Sequence, residues 1–359
     1  MSISSLTLSN FSRASIQKIQ SQILDANKEF TSGRHADVGL TLGRLTSNTI
    51  TYRAQDSSIE RTLESNKLVS FRLESTQDTL DAVRATGEKL QSTFITGVAT
   101  PAGTAALVTE ATNAMQQFVG LLNTSDSGQY LFSGTQSDVQ PMTDGSAAVS
   151  TAFDAFLAVA GTGGTPVTRA TVSKDALSQY FSSTGYTAGG NTYRYDDLFN
   201  DAVGTTPGDT SWNPAFSKVD GDIAQVRISK TETIGTSVSV NDPAIRKTAA
   251  AYAMITALGI SDMGTEARAV VAKAAAEKLA SGMTGIVNLS AEVGARETRV
   301  EAANTALTKQ QDIVKASYEN LEGVDQTEAS LRITTLKTQL EASFAVTGKL
   351  QGLSILDYI

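Results

Sequence analysis

The chain has 359 residues, enough for two or three domains, and its 29 Lys and Arg against 37 Asp and Glu give a formal charge of −8. This acidic balance disfavours a nucleic-acid partner, because binding to phosphates requires basic surface. The absence of Cys excludes disulfides, thiolate metal sites and cysteine nucleophiles. A single histidine, His35, excludes a zinc site with several imidazole ligands.

No apolar run is as long as a transmembrane helix, which needs about 18 residues, so no membrane span is predicted. Residues 1–60 hold six basic and five acidic side chains, which favours packing between helices over binding of a basic helix to a membrane surface. The first residues lack the basic region, apolar core and cleavage site of a signal peptide. A location outside the cell would therefore require export without a cleaved signal.

Proline, which breaks helices, occurs only between Pro101 and Pro243, so both ends of the chain can form long helices. The first part of the chain, residues 1–143, is predicted to be a helical arm. Apolar residues near its start alternate in steps of three and four, as in a coiled-coil seam: Ile16, Ile19, Ile23, Ala26 and Phe30. Gly33 is expected to cap this helix. A second helix is predicted from near Ser57 and a third after a turn at Pro101 and Gly103.

The last part, residues 240–359, carries the strongest periodic signal. Apolar residues recur at every seventh position: Leu279, Ile286, Val293, Val300, Leu307, Val314 and Leu321. The second seam position is often polar: Ser290, Glu297, Asn304 and Gln311. So narrow a stripe predicts a helix that packs against the N-terminal arm and against further copies. The fold class is therefore mainly α, a long antiparallel, coiled-coil-like bundle built from both termini.

The middle, residues 144–239, differs from both arms and holds 11 of the 28 glycines. Phe153, Phe156 and Leu157 predict a short helix. Apolar residues that alternate with polar ones predict strands at three places: Tyr193 and Tyr195, Val226 and Ile228, and Val238 and Val240. We expect a small mixed α/β or β-rich insert between the two arms.

Two short patterns resemble catalytic or nucleotide-binding motifs without the residues that such motifs need. Ser15 and Lys18 match Ser-x-x-Lys, but the companion motifs of that enzyme class are absent. The glycine-rich residues 161–164 are not followed by the Lys-Ser or Lys-Thr of a phosphate loop. A flexible turn is the simpler interpretation of the second pattern.

The acidic pairs and the histidine also lack partners. Asp196–Asp197 and Asp220–Asp222 do not continue with the oxygen ligand and glycine of a calcium loop. His35 lies in a predicted loop, with no nucleophile that it could activate. We therefore expect no enzymatic activity, no catalytic residue, no cofactor and no metal site.

Several local motifs are shared with one protein family. They include Tyr130-Leu-Phe132-Ser-Gly134 with Pro141, Gly294-Ala-Arg296 with Arg299, the segment from Thr31 to Gly39, and the tail from Leu353 to Ile359. In this arrangement they resemble bacterial flagellar hook–filament junction proteins, the hook-associated proteins of type three in the flagellin superfamily. The segment Val38–Leu42 departs from the acidic turn that many members carry there. The resemblance covers about residues 1–142 and 244–359.

The resemblance implies a structural protein of the bacterial flagellum that self-assembles as a ring joining hook to filament. It implies an extracellular location, reached through the flagellar export apparatus without a cleaved signal. The implied partners are copies of itself, a neighbouring hook-associated protein, flagellin and a flagellar export chaperone, with no nucleic acid or membrane.

The terminal seams predict an assembly face that is covered when copies meet. It comprises Ile16, Ile19, Ile23, Phe30, Leu331, Leu336, Leu340, Phe344, Leu350 and Leu353. These side chains could instead form a core within one chain. Two other functions stay open: a flagellin-type bulk filament subunit, and a hydrolase or surface-binding protein that uses residues 144–239.

Overall fold

The computed structural model describes residues 5–200 and 212–356, and helices dominate them. The helices are α1 (Ser5–Ser32), α2 (Val38–Leu42), α3 (Thr46–Gly97), α4 (Pro101–Leu122), α5 (Ser146–Leu157), α6 (Lys174–Tyr180), α7 (Trp212–Ala215), α8 (Pro243–Ala257), α9 (Thr265–Glu322) and α10 (Gln326–Leu356). The strands are β1 (Ser125–Asp126), β2 (Gln129–Tyr130), β3 (Tyr186–Ala188), β4 (Asn191–Tyr193), β5 (Gln225–Arg227) and β6 (Thr233–Gly235). This arrangement confirms the predicted fold class.

The strands form three antiparallel pairs, each made from consecutive strands. Ser125 lies opposite Tyr130 in the first pair, Tyr186 opposite Tyr193 in the second, and Gln225 opposite Gly235 in the third. Short connections therefore join the strands of every pair, and the strands add only single buried side chains, such as Tyr193 and Ile234, to a core that comes mainly from helices and loops.

The chain forms two compact units, one from residues up to Leu63 and from Thr305 onward, the other from Glu64 to Asn304. We call them the terminal unit and the central unit. Helices α3 and α9 contribute residues to both. The three-part division expected from the sequence, at residues 143 and 239, stays a prediction.

The terminal unit contains two small apolar clusters. In the first, Ala26 of α1 packs with Ile333 and Leu336 of α10, flanked by the half-buried Ile19 and Ile23. In the second, Ile59 of α3 packs with Leu307 and Val314 of α9, flanked by Tyr52, Leu63 and Tyr318. The seven-residue repeat of α9 supplies Leu307 and Val314 to the second cluster.

The central unit is built around one extended apolar core, which includes side chains from α3, α4, α5, α8 and α9. The residues between α5 and α8 add a group of packed aromatic rings to this same core, such as the stacked Phe156–Tyr180 and Trp212–Phe216 pairs. The middle of the sequence therefore shares the hydrophobic core of the adjoining helices.

Helix α9 is continuous through Gly282 and Gly285, and α8 packs closely against both residues. A Cβ atom on Gly282 would lie 2.5 Å from Thr248 Oγ1, and one on Gly285 would lie 2.6 Å from Ala244 Cβ. Glycine is therefore required for the contact between the two helices. The helix ends at Glu322 and the chain continues into α10 after a short turn.

Some local predictions are wrong. The second helix begins at Thr46, ahead of the predicted start near Ser57. Pro101 starts α4, because Thr100 accepts a 3.1 Å hydrogen bond from the Gly103 N–H and caps the helix, so this position is no turn. Val238 and Val240 are buried outside any strand. The predicted cap at Gly33 is confirmed by its positive φ of 66° directly after α1.

Candidate assembly surface

Helices α1 and α10 pack antiparallel in the terminal unit and bury only part of their apolar surface. Ala26, Ile333 and Leu336 are buried in the contact between them, while Ile16 and Leu340 are half-buried. The narrow contact follows from the seam, which supplies one apolar position in every three or four residues.

Large apolar side chains remain exposed elsewhere on the same two helices. We call them the outward set: Phe11, Leu24, Phe30, Leu331, Phe344 and Val346. Leu24 is 70% exposed and Leu331 is 68% exposed. At 100° per residue, Leu331 lies on the face of α10 that points away from the buried Ile333. The exposed apolar surface is therefore distributed around the helix pair.

The structure divides the predicted assembly face. Ile19, Ile23 and Leu336 pack within the chain, whereas Phe30, Leu331 and Phe344 are exposed. The side chains of Leu350 and Leu353 lie outside the described residues. Sequence reasoning missed Phe11, Leu24 and Val346, because it followed the seam. A search for large apolar residues off the seam would have found them.

The motif residues around Tyr130 lie in the central unit, and backbone contacts hold them. Gly134 has a φ of 63°, and a Cβ atom there would lie 2.0 Å from the carbonyl oxygen of Asp222. The neighbouring Thr135 N–H donates to that oxygen at 2.9 Å. Phe132 is fully buried, and the Pro141 carbonyl accepts from the Lys218 N–H at 3.1 Å. Glycine at position 134 thus allows the close approach of two loops.

Arg72 on α3 is a structural residue that the sequence did not indicate. Its Nη2 donates to the carbonyl oxygens of Tyr130 and Leu131, at 2.8 and 3.4 Å. Burial lowers the pKa of this guanidinium, with Asp126 acting in the opposite direction. Arg72 therefore attaches the β1–β2 hairpin to α3.

The arginines of the second motif hold the β5–β6 region against α9. Arg296 Nη1 donates to the Ser237 carbonyl at 3.2 Å, and Arg299 Nε donates to Glu232 Oε1 at 2.7 Å. Gly294 has open space beside it, so a Cβ atom at this position would meet no neighbouring atom within 4 Å. These residues act within the central unit.

The polar positions of the α9 seam face polar residues of α3. In the central unit, Asn66 Nδ2 donates to Asn304 Oδ1 at 2.7 Å, and Gln77 pairs with Ser290. Glu297 on the same face has a raised pKa, because it is desolvated by burial and lies near the carboxylates of Glu74 and Asp78.

The histidine and the aspartates that the sequence offered as candidates for catalysis or metal binding contact other side chains of the chain. His35 Nδ1 lies 3.7 Å from Glu29 Oε1, Asp196 pairs with Lys278, and Asp220 accepts from Gln136 at 3.1 Å. Within residues 5–200 and 212–356, no cluster of three or more acidic or histidine side chains could hold a metal ion. None of the described helices has the length and hydropathy of a membrane span.

Two family models match the two ends of the chain. The bacterial flagellin N-terminal helical region matches residues 3–137, and the bacterial flagellin C-terminal helical region matches residues 277–359. Together they cover more than half of the sequence. The chain belongs to the flagellin family. It is a structural protein of the bacterial flagellum.

Solved structures similar to this flagellin-family chain have low sequence identity to it, and one of them shares its fold. A Vibrio parahaemolyticus protein described as a flagellar hook-associated protein has a TM-score of 0.50 and 14% identity, over 77% of this chain and 97% of its own. Bacillus cereus FlgL has a TM-score of 0.45 and 14% identity, over 75% and 99%. Legionella pneumophila flagellar hook-associated protein-3 has 0.43 and 15%, over 76% and 98%. No curated protein matches at a significant level of sequence similarity.

The flagellin models cover both helices of the candidate surface. The N-terminal match includes α1, and the C-terminal match includes α10. The outward set therefore lies wholly within the regions that define the family.

Proposed function

We propose that this flagellin-family chain self-assembles through the outward set and forms a ring that joins hook to filament. The observation that carries the proposal is the exposure of Leu24 and Leu331 on the helix pair that the flagellin models match. Six large apolar side chains stay exposed on these two helices, and contacts with further copies would cover them.

The placement of the outward set favours several neighbours over one. Leu331 points away from the seam, while Phe344 lies nearer to it, so a single flat contact could not cover both. Repeated head-to-tail contacts between copies cover more than one face of each subunit and close into rings or extend as filaments. A ring of copies fits this distribution.

The choice of the junction over the filament rests on sequence motifs. The Tyr130–Gly134 segment and the tail Leu353–Ile359 resemble those of junction proteins. The fold shared with a hook-associated protein of V. parahaemolyticus agrees with this choice. The alternative is a bulk filament subunit, which the flagellin family models favour equally.

The remaining expectations form part of the same proposal. The protein acts outside the cell, reaches its place through the flagellar export apparatus, and performs no catalysis. Its partners are copies of itself, a neighbouring hook-associated protein and flagellin, with an export chaperone before secretion.

Deletion of the gene, followed by electron microscopy and a gel of the culture medium, tests the proposal. Hooks without filaments, with filament protein lost to the medium, are expected for a junction subunit. Bare hooks with no filament protein outside would instead identify a bulk filament subunit. Normal filaments would contradict both functions and direct attention to residues 144–239.

A further inference from the structure

The turn between α9 and α10 is held by a buried carboxylate in the terminal unit. Glu322, the last residue of α9, has a side chain that is 2% exposed. Its Oε1 accepts from Arg53 Nε at 3.0 Å, and its Oε2 lies 2.8 Å from Arg34 Nε. Hydrogen bonds from Arg53 hold the pKa of Glu322 below its ordinary value, with the charge of Arg34 adding to this effect.

Backbone hydrogen bonds join the same two turns. The His35 N–H donates to the Glu322 carbonyl at 3.0 Å, and the Val324 N–H donates to the Gly33 carbonyl at 3.0 Å. The turn after α1 and the turn before α10 are therefore connected directly, and the Glu322 side chain lies beside this connection. We call the two connected turns the joint.

A second glutamate reinforces the joint from α1. Glu29 is 8% exposed and accepts from the Ala36 N–H at 3.2 Å and from Arg332 Nη1 on α10 at 3.1 Å. Its Oε1 also lies 3.7 Å from His35 Nδ1. The buried charges thus link α1, the turn after it and the first turns of α10.

The joint relies on charge because little apolar packing is available there. Each apolar cluster of the terminal unit has only three buried residues, and none of the six belongs to the two turns. A guanidinium that donates two hydrogen bonds to one carboxylate fixes the relative orientation of the two groups as well as their distance. A buried carboxylate that loses its partners is strongly unfavourable. The direction of α10 therefore depends on these ion pairs.

We propose that Glu322 is a positioning residue for assembly, whose carboxylate, held by Arg34 and Arg53, sets the direction in which α10 leaves α9 and presents the outward set to a second copy of the chain. The inference rests on the proposed function, because it concerns the same surface.

Glu322→Gln tests the proposal, since it removes the charge and keeps the shape. The matched control is Glu319→Gln, one turn earlier on α9, where the glutamate is exposed. We expect Glu322→Gln to raise the concentration needed for assembly, measured by sedimentation, by about tenfold or more. Glu319→Gln should change it by less than about twofold. Circular dichroism of the monomers should show the same helix content for both variants.

Arg34→Gln tests whether the effect depends on the Arg34–Glu322 ion pair. It should raise the assembly concentration in the wild-type chain and have little further effect in the Glu322→Gln chain, since the pair is already broken there. If Glu322→Gln does not fold, Arg34→Gln alone decides, because Arg34 is 44% exposed and its loss leaves Arg53 on the carboxylate.

The outcomes separate the inference from the proposed function. If the wild-type chain assembles, and Glu322→Gln and Arg34→Gln assemble at the same concentration, the positioning role is overturned and the proposed function stands. If the wild-type chain does not assemble at all, the proposed function fails, and the inference fails with it.

Discussion

Replacing an exposed apolar residue of the outward set should separate assembly from folding. Leu331 is 68% exposed in the chain, so Leu331→Asp should change the free energy of unfolding by less than about 0.5 kcal/mol. Full burial of a leucine is worth about 1.5–3 kcal/mol, so covering the exposed two-thirds contributes about 1–2 kcal/mol for each subunit. Burying an unpaired carboxylate adds a further cost.

These magnitudes predict a rise of more than about tenfold in the concentration needed for assembly, measured by sedimentation. Gln339→Asp is the matched control, because it adds the same charge at an exposed position of α10. Leu336→Ala provides the opposite case: Leu336 is 8% exposed, so its truncation should destabilise the helix pair by about 2–4 kcal/mol in thermal unfolding. Assembly of Leu331→Asp at the wild-type concentration would refute the assignment of the surface.

Three further changes test the internal structure of the central unit. Gly134→Ala should lower the unfolding free energy by at least about 1–2 kcal/mol in denaturant titration, because φ is 63° and the added Cβ meets the Asp222 carbonyl at 2.0 Å; an unchanged midpoint would contradict this. Arg72→Met should cost about 1–3 kcal/mol by the same assay, because the carbonyls of Tyr130 and Leu131 lose the hydrogen bonds from the guanidinium, while a neutral result would mean that water replaces the guanidinium. Glu297→Gln should raise the melting temperature at neutral pH, since the raised pKa of Glu297 means that its ionised form opposes folding. The destabilisation by ionised Glu297 grows as pH rises through its folded pKa, so the melting temperatures of the wild-type chain and Glu297→Gln should converge below about pH 4. An equal difference between them at neutral pH and below about pH 4 would contradict this explanation.

The seam positions of the long helices could be read directly from the sequence. Leu279, Ile286, Val293 and Val300 are all buried in the central unit, and Leu307 and Val314 are buried in the terminal unit. A seven-residue apolar repeat succeeds because it depends on local helix geometry, which neighbouring residues determine.

The strands of the middle segment were harder to predict. Val226 lies in β5, as the alternation predicted, but Tyr195 belongs to a 3-10 turn and Val240 to a loop. Tyr195 and Val240 are both fully buried. Alternation signals burial at a surface, and in short segments the surrounding core can satisfy it without a strand.

The sequence by itself determined that both ends are helical, that one face of each helix is apolar, and that glycines gather in the middle. These properties follow from backbone preferences and from residue spacing along the chain. Tertiary structure alone decided which apolar residues stay exposed, as Leu331 does while Ile333 is buried, and that Glu322 meets Arg53 across 269 positions of sequence. Burial and ion pairing depend on which distant segments come together, and no local pattern contains that information.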